Sequence, residues 1–181
     1  MAKRIMFLDV DGVLNYAGWG EAKGLVPVPA PYAPTVEQLV EWIDPEKMKL
    51  VNEIVVRTDA QVILSSSTRS NPAMGQVLVK AGLIRPVMGA TPVLLWQVDE
   101  RGNIVDAKTR ADEVWESVER EFFFAGYPQA KLSFVVIDDQ DHEWGRLERY
   151  VGPRDRWLVQ TTFEKGIERK HVELAVQLLM G

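Results

Sequence analysis

Residues 5–15 read Ile5-Met6-Phe7-Leu8-Asp9-Val10-Asp11-Gly12-Val13-Leu14-Asn15. An apolar run from Arg4 to Leu8 stops at two acidic residues one position apart, with a glycine behind them. A continuous apolar run this short, closed by a turn signal, reads as a strand buried on both faces. Gly12 lets the backbone turn sharply after it. The same arrangement recurs along the chain. Val62-Ile63-Leu64 is followed by Ser65-Ser66-Ser67-Thr68-Arg69, and Lys131–Ile137 is followed by Asp138-Asp139. A fourth apolar run is Trp157–Val159.

Helical signals fill the intervals. Asp44-Pro45 reads as an N-cap with proline at the first helical position, and Met48, Val51, Ile54 and Val55 recur at helical spacing. Asn71-Pro72 opens a second helix, which Gly82 closes. Thr109 with Asp112 resembles a capping box, predicting a helix through Phe124. Glu168–Met180 reads as a closing amphipathic helix. Leu94–Val105, with Asp99-Glu100-Arg101-Gly102-Asn103 in its middle, reads as a hairpin. Strands alternating with helices predict an α/β fold: a Rossmann-like three-layer sandwich around a central parallel sheet. Such sheets bind ligands at the carboxyl ends of their strands, where the polar clusters stand. Residues 18–34 differ from the rest, with prolines at 27, 29, 31 and 34 and glycines at 18, 20 and 24. Their composition predicts a loop or short hairpin and no regular helix.

The length of 181 residues fits one domain, 1–181, with short inserts at 15–44 and 94–105. No apolar stretch reaches the ~18 residues of a membrane span. Met1-Ala2-Lys3-Arg4 is basic, but the apolar run behind it is too short for a signal peptide. There are no cysteines, which excludes disulfides and thiolate metal sites. A cytoplasmic protein is the simplest expectation. The net charge of −5 argues against broad nucleic-acid affinity, but it leaves room for a small basic mouth that takes one strand end.

Parallel strands bring Asp9, Asp11, Asp138 and Asp139 to one edge. Two such charges ~4 Å apart repel by ~4 kcal/mol at an effective dielectric near 20, so a cation must offset them. All-oxygen donors select a hard divalent ion, and magnesium is the usual one. Arg69, Lys108 and Arg110 supply positive side chains nearby in sequence. A metal, a hydroxyl such as that of Ser65 and one or two cations around open carboxylates describe a phosphate site. Phosphoryl transfer needs an in-line nucleophile, for which Asp9 serves, and a proton donor for the leaving oxygen, for which Asp11 serves. Ser66 and Ser67 read as turn residues.

The run from Phe7 to Asn15 resembles the first motif of the haloacid dehalogenase (HAD) superfamily of phosphatases. Ser65 matches its second motif, Arg110 or Lys108 its third, and Asp138-Asp139 its fourth, in the family's order. The resemblance implies a HAD-like fold with a minimal cap and a magnesium-dependent phosphomonoester hydrolase. Asp9 is then the nucleophile, forming an aspartyl phosphate, and Asp11 the general acid and base. Asp9, the backbone carbonyl of Asp11, Asp138 and Asp139 hold the metal. Ser65, Arg69 and Arg110 or Lys108 hold the phosphate.

Four shorter stretches are similar to the branch containing polynucleotide 3′-phosphatases of nucleic acid repair. They are Leu64–Arg69, Gly89-Ala90-Thr91-Pro92, Thr109–Val114 and Leu158-Val159-Gln160-Thr161. That resemblance implies a DNA or RNA 3′ end as the phosphorylated partner. The chain has no P-loop, so no kinase half is present. Short caps leave the site open, which suits a macromolecular end better than a small sugar phosphate. The alternative in the same superfamily is a small-metabolite or 5′-nucleotide phosphatase. A receiver-like or non-catalytic phosphate-binding module is the alternative of another class. In a receiver the acidic pair comes early, whereas here it comes late. Trp19, Tyr32 and Trp42 are candidates for stacking on a base. His142 and His171 make no metal pattern, and His171 is expected at the surface.

Overall fold

The computed structural model describes residues 3–25, 34–94, 97–98, 104–106, 109–120, 132–140 and 144–181. The central strand is β1 (Lys3–Leu8). It lies between β2 (Gln61–Leu64) and β6 (Leu132–Asp138), with β3 (Gly89–Ala90) at one edge and β7 (Leu158–Gln160) at the other. All five strands of this sheet run parallel, in the order β3-β2-β1-β6-β7. The expected hairpin forms a separate antiparallel pair, β4 (Gln97–Val98) with β5 (Ile104–Asp106).

Side chains alternate across β1, and this alternation divides the core. Met6 and Leu8 join one apolar cluster with residues of α3 (Pro45–Thr58), α4 (Met74–Lys80) and α7 (Arg169–Met180). Ile5 and Phe7 join the other with residues of α5 (Arg110–Glu119) and α6 (Gly145–Val151). Helices therefore cover both faces, giving the α/β three-layer sandwich expected. Burial on both faces explains why the strands read as unbroken apolar runs.

Register fixes the active edge. Leu8 pairs with Leu64 on one side and Ile137 on the other. The Ser65 N–H donates to the Leu8 carbonyl at 2.8 Å, and the Asp9 N–H donates to the Ile137 carbonyl at 3.0 Å. Asp9, Ser65 and Asp138 thus leave three adjacent strands at the same level.

Several elements differ from expectation. Residues 18–34 include most of a helix, α1 (Ala17–Lys23). The first proline comes only at 27, so nothing in 17–23 lacks a needed backbone donor. Gly24, in the left-handed region at φ 61°, ends the helix. Residues 26–33 lie outside the described residues. A further helix, α2 (Val36–Glu41), opens on a capping box between Thr35 and Gln38. Both α1 and α2 fall within 15–44. The fifth strand, β3, is two residues long and contains a glycine, so it carries almost no apolar signal. Helix α4 begins at Met74, after a 3₁₀ turn at Ser67–Ser70. Helix α5 is described to Glu119, and residues 121–131 lie outside the described residues.

His171 is a correction: it is buried rather than exposed. Its Nδ1 accepts the Glu168 N–H at 2.9 Å, so the ring caps α7 from within. Spacing alone does not distinguish an exposed helical position from one turned inward at the first turn.

Asp44 caps α3 as expected. Its Oδ1 accepts the Glu46 N–H at 2.8 Å, and its Oδ2 accepts the Tyr16 hydroxyl at 2.9 Å. Asp44→Ala is expected to lower stability by ~1–2 kcal/mol, read from the urea unfolding midpoint. An unchanged midpoint would remove the cap from the account.

Candidate active site

Asp9 stands just past the end of β1 and is almost completely buried, with 4 % of its surface exposed. Its Oδ1 accepts no hydrogen bond from the described residues. Arg110 Nη1 lies 3.7 Å from that oxygen and 3.8 Å from Asp138 Oδ2, so one guanidinium faces two carboxylates. Arg110 is the first residue of α5, held there by the reciprocal capping box of Thr109 and Asp112. Lys108, the other candidate for this position, lies outside the described residues.

Asp138 is buried, and its Oδ1 accepts the Gln140 N–H at 2.9 Å. Its neighbour Asp139 is half-buried. Carboxylate oxygens of Asp9, Asp138 and Asp139 lie within 4.8 Å of one another. The Asp139 carboxyl fits against the chain because residue 12 is glycine. A Cβ there would overlap that carboxyl, and the φ of Gly12 is +74°. The Gly12 carbonyl is fixed from the far side by the Thr161 hydroxyl at 2.7 Å.

Asp11 occupies the turn after β1. Asn15 Nδ2 donates to its Oδ1 at 2.8 Å, and the Ser67 hydroxyl approaches its Oδ2 at 3.5 Å. Ser65 is fully buried, and its hydroxyl has no hydrogen-bond partner among the described residues. Ser66, read as a turn residue, does more than turn the chain. Its hydroxyl caps the 3₁₀ turn at Thr68 and helps hold down the proton affinity of the Asp9 carboxyl.

Arg69 is directed inward. Its guanidinium donates to the carbonyls of Ser66, Thr91 and Pro92 and pairs with Glu113. Glu113 also lies 3.6 Å from Arg110 Nε. It therefore joins the two arginines, and sequence reasoning missed it. The only available signal was its position three residues after Arg110 on one helix face. Trp42 lines a hollow beside Asp11. Trp19 donates its indole N–H to the Glu41 carbonyl at 3.0 Å and lines a different hollow. Tyr32 and His142 lie outside the described residues.

Burial pushes the Asp9 carboxyl from an ordinary 3.8 up to about 8, and the Asp138 charge adds to it, against Arg110 and Ser66, which pull it down. Burial also raises Asp139, with the Asp11 charge adding to it. One guanidinium does not neutralise this cluster. A buried carboxylate oxygen with no hydrogen bond, among all-oxygen donors, fits a hard divalent cation.

The family model described as HAD domain in Swiss Army Knife RNA repair proteins matches residues 5–172. The chain belongs to that HAD family. The matched span contains every residue of the site, four strands of the parallel sheet whole and β1 from Ile5 onward. Family membership supports hydrolase chemistry of the HAD phosphatase type, and the buried aspartate cluster is compatible with it. A search of curated proteins finds no match. Among the described residues, no helix of this HAD domain is long and apolar enough to cross a membrane.

The raised Asp9 has a measurable consequence. Folding raises its proton affinity, so between its unfolded value of 3.8 and about 8 the native state holds more protons than the unfolded state. Stability then falls as pH rises through that window. In chelator, the urea midpoint is expected to decline from pH 4 to pH 8, and Asp9→Asn to remove most of that decline. A decline equally steep in Asp9→Asn would assign it to other groups.

Proposed function

We propose that the protein is a magnesium-dependent phosphomonoester hydrolase that removes a 3′-phosphate from the end of a DNA or RNA strand through an aspartyl phosphate on Asp9. The observation that carries this reading is the buried Asp9 carboxylate, facing Arg110 and Asp138 at the carboxyl edge of the sheet. Membership in a family of RNA repair HAD domains favours a nucleic acid end as substrate.

Arg110 faces the nucleophile and receives the phosphoryl oxygens alongside it, so negative charge on the transferring group meets a fixed cation. Ser65 contributes its unpartnered hydroxyl to the same oxygens. Arg69 steadies the phosphate side through Glu113 and offers what remains of its donor capacity. Lys108 is the further candidate for holding the phosphate. Asp9, the Asp11 backbone carbonyl, Asp138 and Asp139 would hold magnesium, which when bound neutralises charge between the nucleophile and the phosphate. An Asp9 carboxylate oxygen attacks phosphorus in line and the ester bond to the leaving oxygen breaks. Asp11 gives that oxygen its proton. Asp11, now ionised, takes a proton from water, and the resulting hydroxide cleaves the aspartyl phosphate. Asn15, bonded to Asp11, keeps the acid oriented between the two half-reactions.

Asp9→Asn is expected to reduce turnover to background, and Asp11→Asn to lower it by ~10²–10⁴-fold, read as phosphate release with magnesium. Near wild-type turnover in Asp9→Asn would end the nucleophile assignment. The substrate panel is an aryl phosphate, 5′- and 3′-mononucleotides, sugar phosphates and oligonucleotides ending in 3′-phosphate. Preference for the oligonucleotides, abolished by chelator, is the expected result. Preference for small monoesters would move the protein to the metabolite or 5′-nucleotide phosphatases. Magnesium-dependent phosphate binding without turnover on any substrate would favour a non-catalytic module.

A further inference from the structure

We infer that the apolar pocket beside Asp11 receives the nucleoside whose phosphate is removed, with the indole of Trp42 as the stacking face for its base. The inference rests on the phosphatase reading above and names what the leaving side of the site recognises.

The pocket has a volume of about 340 Å³. That lies near the lower end of the ~300–1,000 Å³ typical of small-molecule sites, enough for one nucleoside and too little for several nucleotides. Val10, Leu39, Trp42, Ile43 and Met74 supply its apolar lining. Val10, Ile43 and Met74 are buried core residues, so this part of the wall is set by the packing of the domain. The polar lining is Asp11, Asn15 and Thr68.

Two features decide the occupant. The first is position. Asp11 lines the pocket, and Asp11 is the group that protonates the leaving oxygen. The part of the substrate that departs must therefore lie on this side of the phosphate. The second is chemistry. A hydroxyl-rich sugar by itself would lose water against an apolar wall and gain few partners. A flat, weakly hydrated base attached to that sugar gains contact area and stacking.

Trp42 is prepared for this role. Its backbone N–H closes α2 on the Leu39 carbonyl at 3.2 Å, and the next N–H, of Ile43, donates to the Val40 carbonyl at 3.0 Å. The Trp42 ring edge sits 3.5 Å from where a Cβ on Gly20 would lie, an ordinary packing distance, so the indole rests against α1. A ring held in place before binding loses little freedom when a base stacks on it. The pocket offers little to tell one base from another. The Asn15 amide already donates to Asp11 and the Thr68 hydroxyl to Ser66 Oγ at 2.9 Å, which leaves little for base edges. Stacking serves every base, so discrimination among the four is expected to be weak. Trp19 does not share the role, since it lines another hollow beneath Lys23, whose Nζ lies 4.8 Å from the ring centre.

Calorimetry on Asp9→Asn with magnesium tests this without turnover. The ligands are the four nucleoside 3′-monophosphates and ribose 3-phosphate, which keeps the sugar and phosphate but lacks the base. The nucleotides are expected to bind about tenfold or more tightly than ribose 3-phosphate, and within a few-fold of one another. Adding Trp42→Leu should erase the difference, whereas Trp42→Phe should keep most of it. Equal binding of nucleotide and ribose phosphate would overturn the pocket, as would a base preference that survives Trp42→Leu. Circular dichroism checks that Trp42→Leu folds. If it does not, Leu39→Gln on the same wall must weaken nucleotide binding and leave ribose phosphate unchanged. Phosphate release judges the reaction separately. Base-dependent binding without turnover would keep the pocket and remove the reaction. Turnover indifferent to the base would keep the reaction and remove the pocket.

Discussion

Three carboxylates crowd one end of a parallel sheet, and their mutual repulsion is the constraint on which the rest of the site depends. Parallel pairing on both sides of β1 places Asp9 beside Asp138 and leaves no freedom to separate them. Burial then removes the water that would screen the charges. The described residues answer with Arg110 at the start of α5, held by a capping box whose own acid, Asp112, is paired with Arg146 at 2.9 Å. One guanidinium faces three carboxylates, and burial, with the neighbouring carboxylate charges adding to it, raises Asp9 and Asp139. Such an arrangement of oxygen donors fits a hard divalent cation.

Behind that front lies a second layer of charge. Glu113 joins Arg110 to Arg69, and Arg69 is fastened to the carbonyls of Ser66, Thr91 and Pro92. The edge strand β3 leads directly into Thr91, so the end of the sheet is tied to the helix that carries Arg110. Buried charges in such a chain are costly to break singly, because the partner left behind has no water to turn to. This gives Arg110 a fixed orientation without requiring a rigid loop. On the other side, Thr161 from the segment after β7 pins the Gly12 carbonyl, and Gly12 in turn leaves space for Asp139. The two flanks of the site are thus set by opposite edges of one sheet.

Much of this was legible in the chain. The strands buried on both faces announced themselves as unbroken apolar runs, and the residue after each run fell at the sheet's active edge. Asp44, Thr109 and Gly82 marked helix ends because caps are local chemistry between residues two to four positions apart. The less legible elements were those whose signal is short or divided. Strand β3 has two residues, one of them glycine. Helix α1 is seven residues long and carries two glycines, which weaken its helical signal. His171 looked like a surface residue because burial at one turn of an amphipathic helix depends on what packs over it.

By itself the sequence determined the fold class, the order of the acidic motifs and their place at strand ends. Those follow from periodicity and capping, which act over a few residues. Only the tertiary structure decided which cation meets which acid. It turned Arg69 inward to Glu113, set Arg110 against both Asp9 and Asp138, and put Trp42 rather than Trp19 beside Asp11. These contacts join residues tens of positions apart, and their geometry depends on sheet register and helix packing, which no local pattern encodes.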